Sequence, residues 1–202
     1  DMEEPDNLAA TVKHFKLKHC VITSVTRDDL QDEGAEHWAK CINAVRALNK
    51  SVTIEILVPD FHAKKELIQI VADAKPDIFS HNIETVRRLT PKIRSGARFD
   101  RSLEVLRIAF AMGMRVKSGI MVGLGETMEE IFETLKEIRD TSADIITVGQ
   151  YLQPGNDNTQ VEKYYSPEEF ELIRAEALRL GFRHAECGPL VRSSYHSSEA
   201  LM

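Results

Sequence analysis

The segment RVKSGIMVGLGETMEEIFETLKEIRDTSADIITVGQ, residues 115–150, holds a strand, a helix and a second strand in succession. Both ends are rich in β-branched residues, and between them apolar side chains recur with a period near 3.6. Thr127 and Glu130 have the spacing of a capping box, which predicts the start of the helix. This order of elements is typical of a parallel α/β architecture.

The same pattern recurs along the chain. Strands are predicted at residues 20–25, 52–58, 77–80, 115–122 and 144–148, with a less regular sixth at 183–187. Such strand–helix units form either an open doubly wound sheet or a barrel. Because a complete eight-fold barrel needs about 250 residues, a partial barrel fits this number of units better. We expect one domain over residues 1–202, with no linker that would split it.

Helix boundaries are predicted at four further places. Ser166 precedes a proline and has a glutamate at N3, so it should cap the helix that follows. Asp100 is expected to cap another helix, which Gly113 should end, and Gly181 should end the helix that begins after Ser166.

Composition excludes several classes of protein. The 202 residues carry 26 basic and 32 acidic side chains, a net charge of −6 with no long run of one sign, which argues against a nucleic-acid partner. No apolar run approaches the roughly 20 residues of a membrane span, and no signal peptide is expected. Three separated cysteines (Cys20, Cys41 and Cys187) indicate a reducing compartment and are expected to be buried, small apolar side chains.

Polar residues gather where the predicted strands end. Ligands of parallel α/β folds lie at the carboxyl ends of strands, so these clusters should form one rim around a cavity. The five clusters are residues 23–29, 59–60, 80–85, 119–126 and 149–154.

Two of these clusters suggest specific contacts. Strand alternation should aim Asn82 and Glu84 into the cavity, although Glu84 would alternatively cap the following helix. Gly119, Gly123 and Gly125 either form a tight turn or expose the backbone to a flat ligand such as adenine. No nucleophile–base pair and no histidine-based metal spacing is evident. The RSSY motif at 192–195, taken alone, fits a surface segment.

Together, these segments resemble the lipoyl synthases, a family of radical S-adenosylmethionine (SAM) enzymes. The matching pieces cover nearly the whole chain: EPDNLA (4–9), VITSVTRDDL (21–30), GAEH (34–37), TIEILVPDF (53–61), HNIETV (81–86), SGIMVGLGET (118–127), TVGQYLQP (147–154), SPEEF (166–170) and LGFRHAECGPLVRSSYHS (180–197).

The resemblance implies a partial TIM-type (β/α)6 radical SAM barrel that lacks its first strand, with a C-terminal RSSY segment at 188–202. It implies a sulfurtransferase that inserts two sulfur atoms into a protein-bound octanoyl-lysine to make lipoyl-lysine. Two [4Fe–4S] clusters and SAM serve the family, one cluster for SAM and an auxiliary one as sulfur source. The implied cofactor-binding residues are Asn82, Glu84, Gly119, Gly123, Gly125, Glu126, Gln150 and Gln153, and Ser194 is the implied metal ligand, to one iron of the auxiliary cluster.

The sequence departs from the family in its cysteines. Lipoyl synthases carry CxxxxCxxxxxC and CxxxCxxC motifs ahead of the segment that begins here, and neither occurs in these residues. We therefore expect this polypeptide alone to be inactive, as a fragment of a lipoyl synthase. The residues at 31–34 (QDEG) and 155–158 (GNDN) also differ from the family, the latter in a stretch that is usually basic.

Family partners would be octanoylated lipoyl carrier domains, namely E2 subunits of 2-oxoacid dehydrogenases and the glycine cleavage H protein. An electron donor such as flavodoxin or ferredoxin is also implied. The compartment would be the bacterial cytoplasm, or a mitochondrion or plastid in a eukaryote. Two alternatives remain: a non-catalytic barrel that binds lipoyl carrier domains, and a metal-free lyase or aldolase using Lys117 as a Schiff base.

Overall fold

The computed structural model describes residues 2–94 and 96–195. Six strands alternate with helices, and every strand predicted from the sequence is confirmed within two residues at each end. The strands are β1 (His19–Thr23), β2 (Thr53–Leu57), β3 (Ile78–Ser80), β4 (Val116–Val122), β5 (Ile145–Gln150) and β6 (His184–Gly188). The helices are α1 (Glu4–His14), α2 (Ala35–Leu48), α3 (Lys65–Asp73), α4 (Thr90–Ile93), α5 (Phe99–Ala111), α6 (Met128–Arg139) and α7 (Pro167–Arg179), with a short 3₁₀ helix at Phe61–Ala63.

The strands form one parallel sheet in the order β1-β2-β3-β4-β5-β6. A doubly wound sheet reverses its strand order at a switch point, whereas this order follows the chain from one edge to the other. The winding is therefore that of a barrel, and the partial TIM-type barrel predicted from the sequence is confirmed.

Helix termini follow the predicted capping chemistry in four of five cases. Thr127 and Ser166 each form a complete capping box at the start of α6 and α7. Gly113 and Gly181 follow the ends of α5 and α7 with φ of +81° and +97°. The prediction that Asp100 caps α5 is wrong. Arg98 occupies the cap position in extended conformation, which moves Asp100 into the first turn.

The sheet has two chemically different faces. Strand register places Ile54, Ile56 and Val148 on the face that packs against the helices, where they join the main apolar core. The opposite face lies inside the curve of the sheet and mixes polar and small residues with apolar ones such as Ile78 and Ile145. It carries Glu55, Ser80, Asn82, Lys117, Gly119, Thr147 and Gly149. A ligand held inside the barrel would therefore meet both polar and apolar side chains.

All three cysteines are free, and Cys20 and Cys41 are buried as predicted, while Cys187 is half-buried. Cys20 and Cys187 lie on the helix-facing side of β1 and β6, and Cys41 lies within α2. Burial raises the pKa of Cys20 to about 11 and that of Cys187 to about 12. Among the described residues, no helix is long and apolar enough to cross a membrane.

Candidate active site

A cavity of about 470 Å³ opens at the carboxyl ends of β3, β4 and β5, on the inner face of the sheet. The C-terminal segment after β6 closes one side of it. This position and size suit a small-molecule site of a barrel enzyme. The lining residues are Leu57, Asn82, Glu84, Gly119, Ile120, Met121, Thr147, Gly149, Gln150, Tyr151, Leu152, Pro154, Val191, Arg192 and Ser193.

Asn82 and Glu84 both line this cavity, while His81 and Ile83, which alternate with them, are buried on the other side, as alternation predicts. The backbone at Glu84 has a φ of +72° and forms an isolated bridge to Ile120 of β4. Backbone strain of this kind in a non-glycine residue clusters at functional sites. Burial raises the pKa of the Glu84 carboxyl above its usual value, against the opposing effects of Arg94 and Asn82.

The alternative role for Glu84, as a cap of the next helix, is wrong. The following helix, α4, begins only at Thr90, and its N-cap position is held by Leu89 without a side-chain hydrogen bond. The Glu84 backbone instead bonds to β4, because its N–H donates to the Gly119 carbonyl (3.0 Å) and its carbonyl accepts from Met121 (2.8 Å). Glu84 is therefore fixed to the wall of the cavity.

Gly119 occupies the point where two polar side chains come closest to β4. A β-carbon here would lie 2.6 Å from Thr147 Oγ1 and 2.9 Å from Asn82 Oδ1, both far inside van der Waals contact. The absence of a side chain lets these two polar groups stand side by side on the cavity wall. Of the three predicted glycines, Gly119 is the one that lines the cavity.

Gly123 and Gly125 lie outside the cavity lining, contrary to the expectation that they bare the backbone to a ligand. Both have positive φ, +107° and +101°, so they form the tight turn that was the alternative. Glu126 also has an internal role, because its carboxylate accepts from the N–H groups of Gly123 (2.6 Å) and Leu124 (2.9 Å). The turn between β4 and α6 is thus held by its own residues.

Gln150 lines the cavity, but its amide group is already engaged. Its Nε2 donates to the carbonyls of Tyr151 (3.1 Å) and Lys163 (2.9 Å), and its Oε1 accepts from the Tyr165 N–H (3.0 Å). Gln153 lies outside the lining and donates to carbonyls within the following loop. Both glutamines shape the loop after β5, and neither amide is directed at a ligand.

Two of the five predicted rim clusters do not reach this cavity. In the cluster at 23–29, the exposed Arg27 pairs with Asp29 (2.7 Å), and Thr23, Ser24 and Arg27 line a separate cavity of about 350 Å³ against α1 and α2. Asp60 caps the 3₁₀ helix and binds Arg101 (2.6 Å). The expectation of one rim of five loops is therefore correct for only three of them.

The C-terminal segment contributes the wall that the sequence pattern of the strands could not predict. Val191, Arg192 and Ser193 line the cavity, and Ser194 follows directly in an exposed turn. Ser194 itself is not among the lining residues, although its neighbour Ser193 is. Residues 196–202 of the predicted C-terminal segment lie outside the described residues.

Thr147 and Glu55 are polar inner-face residues that were not assigned to the site from the sequence, and Lys117 was named only as the Schiff-base lysine of the lyase alternative. Thr147 lies two residues before Gly149 on β5, so strand alternation could have predicted that both face the cavity. Lys117 is buried and its Nζ binds Glu55 Oε1 at 2.8 Å. An ammonium group held in a buried ion pair is a poor Schiff-base nucleophile, which removes the support for a lyase.

The described residues do not fit an iron–sulfur cluster. Such clusters need several thiolates directed at one point, whereas the three cysteines lie on the helix side of the sheet or within α2, and burial keeps each thiol protonated at neutral pH. Elsewhere, ligand atoms of Asp28, Glu33 and His62 come within 4.8 Å of one another. Lys64 already neutralises Glu33 at 2.7 Å, so we assign no ion there.

The fold is that of radical SAM proteins, and the model of the Radical SAM superfamily matches residues 1–138. Methylornithine synthase superposes with a TM-score of 0.70 at 22% identity, over 91% of this chain and 53% of that one. Streptococcus suis SuiB bound to S-adenosylmethionine superposes with a TM-score of 0.67 at 14% identity, over 90% of this chain and 41% of that one. At these identities, the likeness concerns the fold.

Sequence comparison identifies the particular family. The chain is 47% identical to the lipoyl synthase of Parabacteroides distasonis, over all of this chain and 72% of that protein. It is 50% identical to that of Phocaeicola vulgatus, over 71% of that protein, and 48% identical to the mitochondrial lipoyl synthase of Nematostella vectensis, over 69% of it. The chain belongs to the lipoyl synthase family, which confirms the resemblance seen in the sequence.

Proposed function

We propose that this chain forms the barrel in which a lipoyl synthase holds SAM beside an octanoyl-lysine for sulfur insertion, with the adenosyl group against Asn82, Glu84 and Thr147. The observation that carries this assignment is that Asn82 and Thr147 stand side by side at side-chain-free Gly119, in a cavity that Glu84 also lines. When bound with an iron–sulfur cluster, SAM supplies the radical chemistry that activates unreactive C–H bonds.

The chain's own residues would bind and orient this ligand. The Asn82 amide offers both a donor and an acceptor, and the Glu84 carboxyl offers acceptors for ribose hydroxyls. A carboxylate would also suit the positive charge of a sulfonium. Leu57, Ile120 and Leu152 supply apolar surface beside these groups, and apolar surface suits both an adenine ring and an acyl chain.

The thiolate ligands of both clusters would come from polypeptide outside these 202 residues. Ser194 would supply an oxygen ligand to the auxiliary cluster, and its position directly after Ser193, which lines the cavity, supports this role. A cluster that is consumed as the sulfur source benefits from one weak ligand, because thiolates hold iron firmly. By itself, this single domain of 202 residues would assemble neither cluster.

Octanoylated carrier domains and a flavodoxin- or ferredoxin-type electron donor would be the partners of the complete enzyme. The compartment would be a bacterial cytoplasm or an organelle, since the relatives include both bacterial and mitochondrial proteins.

A titration with S-adenosylhomocysteine, followed by NMR, tests the adenosyl site in this chain. Amide signals of Gly119, Met121 and Thr147 should shift at millimolar ligand, while those of Trp38 in the second cavity should not. Shifts confined to the cavity between α1 and α2, or no shifts at Gly119 and Thr147, would contradict the proposal.

A further inference from the structure

A buried ion pair lies inside the barrel, directly below the cavity. Glu55 of β2 and Lys117 of β4 are joined at 2.8 Å, and their side chains are 0% and 2% exposed. Ser80 of β3 donates to the same carboxylate oxygen (2.9 Å), and His19 of β1 approaches the other oxygen at 3.7 Å. Burial raises the pKa of Glu55, but His19, Lys117 and Ser80 together bring it below its usual value.

Lys117 has a second partner, which lies outside the sheet. Its Nζ donates to the backbone carbonyl of Ser193 at 2.5 Å. This hydrogen bond carries a full charge on its donor and is therefore stronger than an ordinary one. It connects the interior of the barrel to the residue immediately before Ser194.

A second contact seats the same segment on β5. A β-carbon on Gly149 would lie 2.3 Å from the Val191 carbonyl oxygen, so the segment fits here only because residue 149 has no side chain. The Val191 N–H donates to the Gly188 carbonyl (3.1 Å), and the Tyr195 N–H donates to the Arg192 carbonyl (2.8 Å). Residues 191–195 therefore form a turn, here called the C-terminal turn, that is held from both β4 and β5.

We propose that Lys117, charged and oriented by Glu55, is a positioning residue that holds the C-terminal turn over the cavity and so fixes the direction of Ser194. This inference deepens the proposed function, since the value of a fixed Ser194 depends on it. The physical reason is the hydrogen bond from Lys117 to the Ser193 carbonyl. A buried ion pair adds little net stability over apolar residues of similar size, whereas a buried ammonium with one carboxylate and one carbonyl acceptor permits few positions of the turn.

The double variant Lys117→Met/Glu55→Gln tests this directly, because it removes the hydrogen bond to Ser193 without leaving a charge buried alone. Amide exchange of Val191 and Tyr195 should accelerate roughly tenfold, the effect of losing about one hydrogen bond. Trypsin should also cleave the Arg192–Ser193 bond faster. Ser118→Ala is the matched control: it removes a buried hydrogen bond to His81 from the same strand and should change neither rate.

A folded double variant whose turn exchanges and is cleaved at the wild-type rate would overturn the proposal. If the double variant does not fold, Gly149→Ala tests the same contact from the other side, because its β-carbon displaces Val191. Lys117, 1% exposed in the intact chain, should then become reactive toward an N-hydroxysuccinimide ester. If Lys117 stays unreactive in a chain whose C-terminal turn has moved, the proposed positioning role of Lys117 is refuted.

These measurements are independent of SAM and of any cluster. If the double variant releases the C-terminal turn but the wild-type chain does not respond to S-adenosylhomocysteine, only the proposed function is refuted. If the wild-type chain binds the ligand at Gly119 but the C-terminal turn of the double variant is unchanged, only the positioning role of Lys117 is refuted.

Discussion

Asn82 and Gly119 stand so close that the amide oxygen of Asn82 lies 2.9 Å from where a β-carbon on residue 119 would be. The two residues come from the loop after β3 and from the middle of β4. Their proximity depends on the pairing of β3 with β4, in which Ser80 is opposite Lys117. The polar wall of the cavity is therefore a product of the parallel register.

Gly119→Ala should weaken both the binding of an adenosyl ligand and the fold. The added methyl group would collide with Thr147 Oγ1 and Asn82 Oδ1, so both side chains must rotate away from the cavity wall. We expect at least a tenfold loss of S-adenosylhomocysteine affinity, and an unfolding free energy lower by roughly 1–3 kcal/mol from overpacking. Calorimetry and urea denaturation measure the two effects.

Gly155→Ala is the matched control for this substitution. Its β-carbon would meet only Asn158 Oδ1, at an ordinary 3.5 Å, and Gly155 lies outside the cavity. It should leave both quantities near the wild-type values. Equal losses from the two alanine substitutions would contradict the role given to Gly119.

His81 should make the protein less stable as the pH falls. Burial lowers its pKa from 6.5 to about 4, while its ring bonds to the Val58 carbonyl and Ser102 Oγ. Between these pH values the unfolded chain binds a proton that the folded chain does not. The stability contributed by neutral His81 is therefore fully present above pH 6.5 and is lost as the pH falls toward 4. The shift corresponds to roughly 3 kcal/mol.

Urea denaturation at a series of pH values measures this dependence. His81→Gln should flatten the profile between pH 6.5 and 4 while lowering stability at neutral pH. His14→Gln, at the exposed end of α1, is the control and should retain the wild-type slope. A profile unchanged by His81→Gln would show that another group controls acid stability.

Much of the fold could be predicted because its information is local. Strand composition, the capping boxes at Thr127 and Ser166, and the glycines after α5 and α7 depend on residues within one or two turns. Asp100 failed as a cap because Arg98 adopts an extended conformation one residue before α5, which composition alone does not specify.

The site was predicted less completely because its geometry is long-range. Alternation correctly aimed Asn82 and Glu84 inward. The side-chain amide of Gln150, however, is hydrogen-bonded to Lys163 and Tyr165 of the following loop. No residue near position 150 in the sequence predicts that contact. Glu55 was visible only as a charge inside a predicted strand, and Lys117 was considered only as a Schiff-base lysine. Their pairing depends on the register of three strands.

Reconstitution with iron and sulfide under anaerobic conditions should leave this chain without a cluster. Its thiols are buried or half-buried, point away from the cavity and have raised pKa values, so they are protonated at neutral pH. After gel filtration, iron should fall far below the four atoms per chain of one [4Fe–4S] cluster. Stoichiometric iron accompanied by SAM cleavage would contradict this expectation.

The same thiols provide an independent check. Alkylation by iodoacetamide at neutral pH should be slow in the folded chain, because the thiolate is the reactive form, and should become fast for all three cysteines in urea. Rapid alkylation of Cys187 in the folded chain would contradict the burial that raises the pKa of its thiol.

Removing one partner of the buried ion pair should cost more than removing both. Lys117→Met leaves the Glu55 carboxylate buried with only Ser80 donating to it, and loss of one partner from a buried pair typically costs about 3–5 kcal/mol. Adding Glu55→Gln to this variant removes the stranded charge while keeping an acceptor for Ser80, so most of the lost stability should return. Urea denaturation of the wild type, both single variants and the double variant gives the coupling energy, which should exceed about 1 kcal/mol for groups in contact. If the two losses simply add, the pair is not coupled, and Lys117 would be held by Ser193 alone.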